Sequence, residues 1–121
     1  MQKFMLIIRE DLAQLKQDGD AERYRRMRVM MAWTESLQES VNFLAGEPLE
    51  LTRRYVVRDQ VISDGPFIEA KEGISGYILV EAENIEQAAA IAQGCPLVQQ
   101  ELMAIEVSPI LANNACGDGH S

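Results

Sequence analysis

Residues 76–94 read GYILVEAENIEQAAAIAQG, and the way this stretch is read decides the fold. Gly76 to Val80 is a continuous apolar run with the character of a buried strand, and Ala82 ends it. Asn84 then offers a side-chain oxygen to the orphan amides of a helix start, and Gln87, three residues on, can return the bond, which is the reciprocal capping arrangement. Behind that cap Ile85, Ala88, Ala89 and Ala92 make a helix face of small residues. Gly94 followed by Pro96 stops the helix, because glycine accepts the left-handed closing conformation and proline cannot continue the turn.

The rest of the chain extends the same alternation. Lys3 to Ile8, KFMLII, reads as a buried first strand. Leu12 and Leu15 hint at a helical turn, which Asp18-Gly19-Asp20 breaks while offering an aspartate cap to the next helix. Tyr24, Met27, Met30, Met31, Thr34, Leu37 and Val41 then recur at steps of three and four, one stripe of an amphipathic helix. That stripe is core packing or, given its soft thioethers, the lining of a variable apolar ligand site. Gly46 and Pro48 interrupt, Leu51 to Arg58 begins a β-branched strand, Asp59-Gln60 makes a turn, and Val61-Ile62-Ser63 returns as a hairpin. The last strand is Leu102 to Val107, ended by Pro109.

The order is βαββαβ, the ferredoxin-like split-βαβ arrangement of an α+β protein, with two helices on one face of an antiparallel sheet. The nearly unbroken apolar runs of the first and fourth strands, Lys3 to Ile8 and Gly76 to Val80, leave the second sheet face apolar as well, and a second copy of the chain would cover it as a dimeric α+β barrel. The 121 residues suit one domain over 1–110, and residues 111–121 read as a flexible C-terminal tail.

Composition narrows the function. With 47% hydrophobic and 25% charged residues the chain has globular composition. No apolar run approaches the roughly 18 residues of a membrane span. No export signal begins the sequence, so the expected address is a reducing cytoplasm in which Cys95 and Cys116 stay free thiols. A formal charge of −8 repels phosphate backbones, which argues against nucleic acid as a partner. The run Arg23-Tyr24-Arg25-Arg26-Met27-Arg28 reads as a solvated helix face with Glu22 and Arg26 paired at i and i+4. Sequence motifs for phosphate loops, dinucleotides and serine hydrolases are absent, and no cofactor is expected.

One motif has charges that geometry does not demand. Residues 64–72 read DGPFIEAKE, a sharp turn at Asp64-Gly65-Pro66-Phe67 followed by Glu69, Lys71 and Glu72. Asp64, Glu69 and Glu72 can supply a carboxylate base whose pKa like-charged neighbours raise, and Lys71 can hold a substrate anion. Each also has a structural use, Asp64 bonding its own turn amides and Pro66 opening a short helix. Tyr77 points into a cleft or into the core. Cys95 before Pro96 is a nucleophile only where its thiol pKa is lowered, and otherwise a small buried hydrophobe. Cys116, Asp118 and His120 lack a fourth ligand and rigidity, so no metal site is expected.

Together, Asp64-Gly65-Pro66-Phe67, Glu69-x-Lys71-Glu72, Gly76-Tyr77 entering a strand, a capped helix ending at Cys95-Pro96, and Ile105-Glu106-Val107-x-Pro109 resemble the DGPF-type branch of the YCII-related proteins over roughly residues 1–110. Ala45-Gly46-Glu47-Pro48-Leu49 and the Met5 to Ile8 strand fit too. The resemblance implies a dimeric α+β barrel with a cleft between sheet and helices, and a genomic setting beside sigma factors of the extracytoplasmic-function type. The family's catalytic branch works through a histidine on the first helix and an aspartate before the proline that follows the second. Here the helix region is Arg28-Val29-Met30-Met31, the pre-proline residue is Cys95, and the sole histidine is His120.

Three readings follow. One is a small-ligand-binding or regulatory homodimer with a cleft near the DGPF motif, its ligand contacted by Asp64, Gly65, Pro66, Phe67, Glu69, Lys71, Glu72 and Tyr77. Another is an enzyme doing proton-transfer or elimination chemistry on a small organic anion with Asp64, Glu69 and Glu72. The last is a protein-interaction module associated with a transcription regulator.

Overall fold

A computed structural model describes residues 1–62 and 73–112. Strand β1 (Gln2–Glu10) leads into α1 (Leu12–Gln17) and the long α2 (Asp20–Ser40). Then come β2 (Asn42–Pro48), the short pair β3 (Tyr55–Val57) and β4 (Gln60–Ile62), β5 (Gly73–Ala82), α3 (Ile85–Gln93), α4 (Pro96–Gln99) and β6 (Ala104–Pro109). A four-stranded antiparallel sheet has the order β2-β5-β1-β6, and β3 and β4 form a separate two-stranded sheet. Two split-βαβ crossings generate that order, and the fold is ferredoxin-like.

Register sorts the side chains onto two faces. Cross-strand partners share a face, so the rows Phe43-Val80-Phe4-Pro109 and Gly46-Ile78-Leu6-Val107 look one way. The rows Ala45-Leu79-Met5-Ser108 and Glu47-Tyr77-Ile7-Glu106 look the other. Phe4, Leu6, Ile8, Ile78 and Val80 on the first face are buried with Trp33 and Leu37 of α2, Ala88 of α3 and Leu97 of α4. The second face carries the half-buried Met5, Ile7, Tyr77 and Leu79, and among the described residues no helix packs its core side against it.

The structure corrects several sequence expectations. The strand beside β5 is Asn42–Pro48, not Leu51–Arg58; the latter contributes only β3 of the detached hairpin. Gly46 and Pro48 read as breakers, yet an edge strand tolerates proline. Gly46 also belongs there physically, since a Cβ on it would lie 3.0 Å from Ile78 Cγ1 and 3.1 Å from the Tyr77 carbonyl oxygen. The hairpin forms, but its turn is Arg58-Asp59 because Gln60 already pairs with Val57.

Helix α2 is present, with its buried stripe rotated. Trp33 and Leu37 enter the core and Val29, Met30 and Val41 pack against it, while Tyr24, Met27 and Met31 are exposed. Steps of three and four describe either of two neighbouring stripes on one helix, and the bulky indole of Trp33 decides between them. Its N-cap is Gly19 rather than an aspartate, and Asp20 instead pairs with Arg23 at 2.8 Å.

The Asn84 cap of α3 forms, Gln87 N donating to Asn84 Oδ1 at 2.8 Å, but the return bond is displaced by one residue, Gln87 Oε1 accepting from Glu83 N at 2.6 Å. Gly94 closes α3 with right-handed φ of −76°, and the left-handed conformation falls instead at Glu101, φ 63°, beyond α4. Pro109 lies within β6 rather than after it. Among the described residues no helix is long and apolar enough to cross a membrane.

Candidate functional site

The corner where β1 ends and β5 begins gathers most of the buried charge. Glu10 pairs with Gly73, the first residue of β5. The ladder slips between Ile8 and Arg9, leaving Ser75 as an extra, bulged residue of β5. Its hydroxyl donates to Glu10 Oε2 at 2.5 Å, and its carbonyl accepts from Leu49 N at 2.9 Å, which ties the chain after β2 to the corner.

Helix α2 delivers Arg26 to the same place. Of the arginine run only Arg26 turns inward, with 14% of its side chain exposed, and it meets three carboxylates. Its Nε donates to Glu22 at 2.9 Å, the i, i+4 pair expected from sequence. Its Nη1 donates to Glu10 Oε1 at 3.3 Å, and Nη2 lies 3.5 Å from Asp18 Oδ2. That Asp18 oxygen is buried without a hydrogen bond, while Oδ1 accepts from Gln14 at 3.1 Å. Hydrogen bonds from Arg25 and Arg26 hold the Glu22 carboxyl down at about 2. Asp18 and Glu10 share one cation and cannot lose it without being stranded.

Beside this corner a shallow pocket of ≈170 Å³ is lined by Leu12, Lys16, Leu51 and Thr52. Leu12 is a nearly sealed apolar floor at 1% exposure. Lys16 has no ion pair among the described residues, so the pocket offers an uncommitted cation, apolar walls and one hydroxyl.

Cys95, the residue before Pro96, meets the candidate helix region at Met30, with Sγ 3.7 Å from Met30 Sδ and 4.0 Å from Met103 Sδ. Cys95 has no exposed surface, and burial pushes its thiol up despite hydrogen bonds from the Val98 and Leu97 amides. A buried thiol pushed up by burial, between two partly buried thioethers that carry no proton, makes no acid–base pair at neutral pH. The reading of Cys95 as a small buried hydrophobe holds, and among the described residues no cluster of His, Cys, Asp and Glu has metal-site geometry.

Of the sequence-derived site residues, Tyr77 sits half-buried on the open sheet face between Ile7 and Glu47. Asp64, Gly65, Pro66, Phe67, Glu69, Lys71 and Glu72 lie outside the described residues, as do Cys116, Asp118 and His120. The sequence did not single out Glu10, Asp18, Ser75, Lys16 or Thr52. The one available signal was Glu10, a charge closing an apolar strand; nothing in the run from Arg23 to Arg28 marks Arg26 as the buried member.

The family model described as "YCII-related domain" matches residues 2–111. Among curated proteins no sequence matches. A solved structure similar to this chain is 5-chloro-2-hydroxyhydroquinone dehydrochlorinase (TftG) from Burkholderia phenoliruptrix AC1100, in complex with 2,5-dihydroxybenzoquinone. The TM-score is 0.53 at 18% identity, covering 93% of this chain and 97% of that one. At that identity the likeness carries the fold and not the reaction.

Proposed function

Because the chain belongs to the YCII-related family, we propose that it is a cytoplasmic homodimer that binds a small organic anion beside the entrance to β5, without the histidine–aspartate chemistry of the family's catalytic branch. The pocket of Leu12, Lys16, Leu51 and Thr52 carries this reading. An apolar cavity of roughly 150 Å³ accepts one benzene ring, so ≈170 Å³ suits a single-ring or comparably small ligand. Lys16 supplies the counter-charge, Leu12 and Leu51 the apolar walls, and Thr52 an orienting hydroxyl. The open row of Met5, Ile7, Tyr77 and Leu79 supports the homodimer, since an apolar sheet face needs a cover.

The test is a titration of isotope-labelled protein with benzoate and with phenol, followed by amide chemical shifts. Benzoate is expected to move the Leu12, Lys16, Leu51 and Thr52 signals and to bind more tightly than phenol, a preference that Lys16→Gln removes. No response at those amides up to roughly 10 mM, the weak end of measurable binding, would exclude the site. Proton-transfer chemistry by Asp64, Glu69 and Glu72 is the second reading, supported by the clustering of these carboxylates in the sequence. Under it, Asp64→Asn and Glu72→Gln abolish turnover while leaving benzoate binding in place. A link to a transcription regulator is the third, and co-purification that survives both substitutions would favour it.

A further inference from the structure

Three sulfurs meet at one place in the core. Cys95 Sγ lies 3.7 Å from Met30 Sδ and 4.0 Å from Met103 Sδ. They arrive on separate elements, Met30 from the middle of α2, Cys95 at the start of α4 and Met103 just before β6. Packing alone explains a buried cysteine, but it does not call for two thioethers against its sulfur. Neither thioether is sealed: Met30 and Met103 are partly buried, whereas Cys95 has no exposed surface. Hydrogen bonds from the Val98 and Leu97 amides hold the Cys95 sulfur in place.

The spacing is that of a three-sulfur metal site. Metal–thiolate bonds run about 2.3 Å, so sulfurs set at 120° around one ion stand about 4 Å apart. Both measured separations match, and the rotatable bonds of a methionine side chain let the remaining side adjust. We infer that Cys95, Met30 and Met103 bind one Cu(I) ion in a trigonal set. Thiolate and thioether ligands select Cu(I) by their softness. Charge favours the same ion. Binding displaces the thiol proton to solvent, and the thiolate cancels the single charge of Cu(I), so the loaded site is neutral in an apolar core. Zn(II) would leave one uncompensated positive charge there and lack a fourth ligand. The ion enters by way of the partly buried thioethers, and the thiol, raised by burial in the metal-free protein, gives up its proton only as the metal–sulfur bond forms. The site is separate from the pocket of Leu12, Lys16, Leu51 and Thr52 and does not depend on what that pocket binds.

Anaerobic titration of the reduced full chain with Cu(I), in competition with a chromophoric Cu(I) chelator, tests it. A Cys116→Ser background removes the other thiol. One Cu(I) per chain is expected, with sulfur neighbours at about 2.3 Å in X-ray absorption and release of one proton. Cys95→Ala should abolish binding. Met30→Leu and Met103→Leu nearly conserve volume and keep the fold, which circular dichroism of the metal-free variants checks. Each should weaken binding by at least about tenfold, the loss that even an outer-shell contact to a metal brings. Absence of binding in the Cys116→Ser protein overturns the site. Binding that survives Cys95→Ala, or that both leucine variants leave unchanged, overturns the three-sulfur set. X-ray absorption of the loaded parent decides the same point without any variant, since nitrogen or oxygen neighbours in place of sulfur would also overturn it.

Discussion

Arg26→Met keeps most of the side-chain stem of Arg26 and removes its fork, so it isolates what the guanidinium does at the corner. Glu22 is 37% exposed and keeps its bond to Arg25, so its loss counts for little. Glu10 and Asp18, at 10% and 11% side-chain exposure, are left without their cation. Removing one partner from a buried pair costs roughly 3–5 kcal/mol. Glu10 retains the Ser75 hydroxyl and Asp18 retains Gln14, which places the expected loss at the low end, about 3 kcal/mol. With an unfolding entropy of about 2.1 cal/mol/K per residue over 121 residues, that loss lowers Tm by about 12 °C. Urea and thermal unfolding followed by circular dichroism measure both quantities. Arg26→Lys, which restores the charge without the fork, should recover part of the loss. Arg26→Met combined with Asp18→Asn should be less destabilised than the sum of the singles, with a coupling above about 1 kcal/mol. A single-variant loss under about 1 kcal/mol, or strict additivity, would refute the account of one arginine holding two buried carboxylates.

Further expectations concern the core and the strand edge. In a Cys116→Ser background, Cys95 should resist thiol reagents at neutral pH until the protein unfolds. Because burial raises the folded thiol above its value in the open chain, the unfolded state loses its proton first as pH climbs past 9.0. Stability should therefore fall with rising pH there, by up to about 1.4 kcal/mol per unit. Cys95→Ala should remove that component in denaturant melts at pH 7 and 10, and an unchanged slope would count against it. Gly46→Ala should cost about 1–3 kcal/mol because its Cβ has no room against Ile78 and the Tyr77 carbonyl. Gly94→Ala, with ordinary φ and a Cβ no closer than 3.4 Å to Ile91 O, should be tolerated within about 0.5 kcal/mol. Equal costs in thermal melts would contradict the assignment of Gly46 to a paired edge strand.

Local chemistry made much of the fold legible. The Asn84 cap, the apolar run from Gly76 to Val80 and the first strand each announce themselves within a few residues and are present, and the hairpin read from Leu51–Arg58 and Val61–Ser63 is present in shorter form, Tyr55–Val57 with Gln60–Ile62. The second strand of the sheet was not legible, since Gly46 and Pro48 carry the marks of a loop and become strand residues only because β5 lies alongside on one edge. The buried stripe of α2 was equally ambiguous until the core claimed Trp33.

The sequence by itself determined the α+β order, the family likeness through the DGPF block, the absence of a histidine from the first helix, and the charge of the chain, because these depend on neighbours a few positions apart or on composition. Only the tertiary structure decided that Met30, Cys95 and Met103 converge as three sulfurs, that Arg26 alone of its run turns inward to Glu10 and Asp18, and that Lys16 and Thr52 share a pocket. These contacts join residues up to 65 positions apart. Their partners are chosen by the order in which strands pair and by the rotation of a helix about its axis, and neither is encoded in any local stretch of chain.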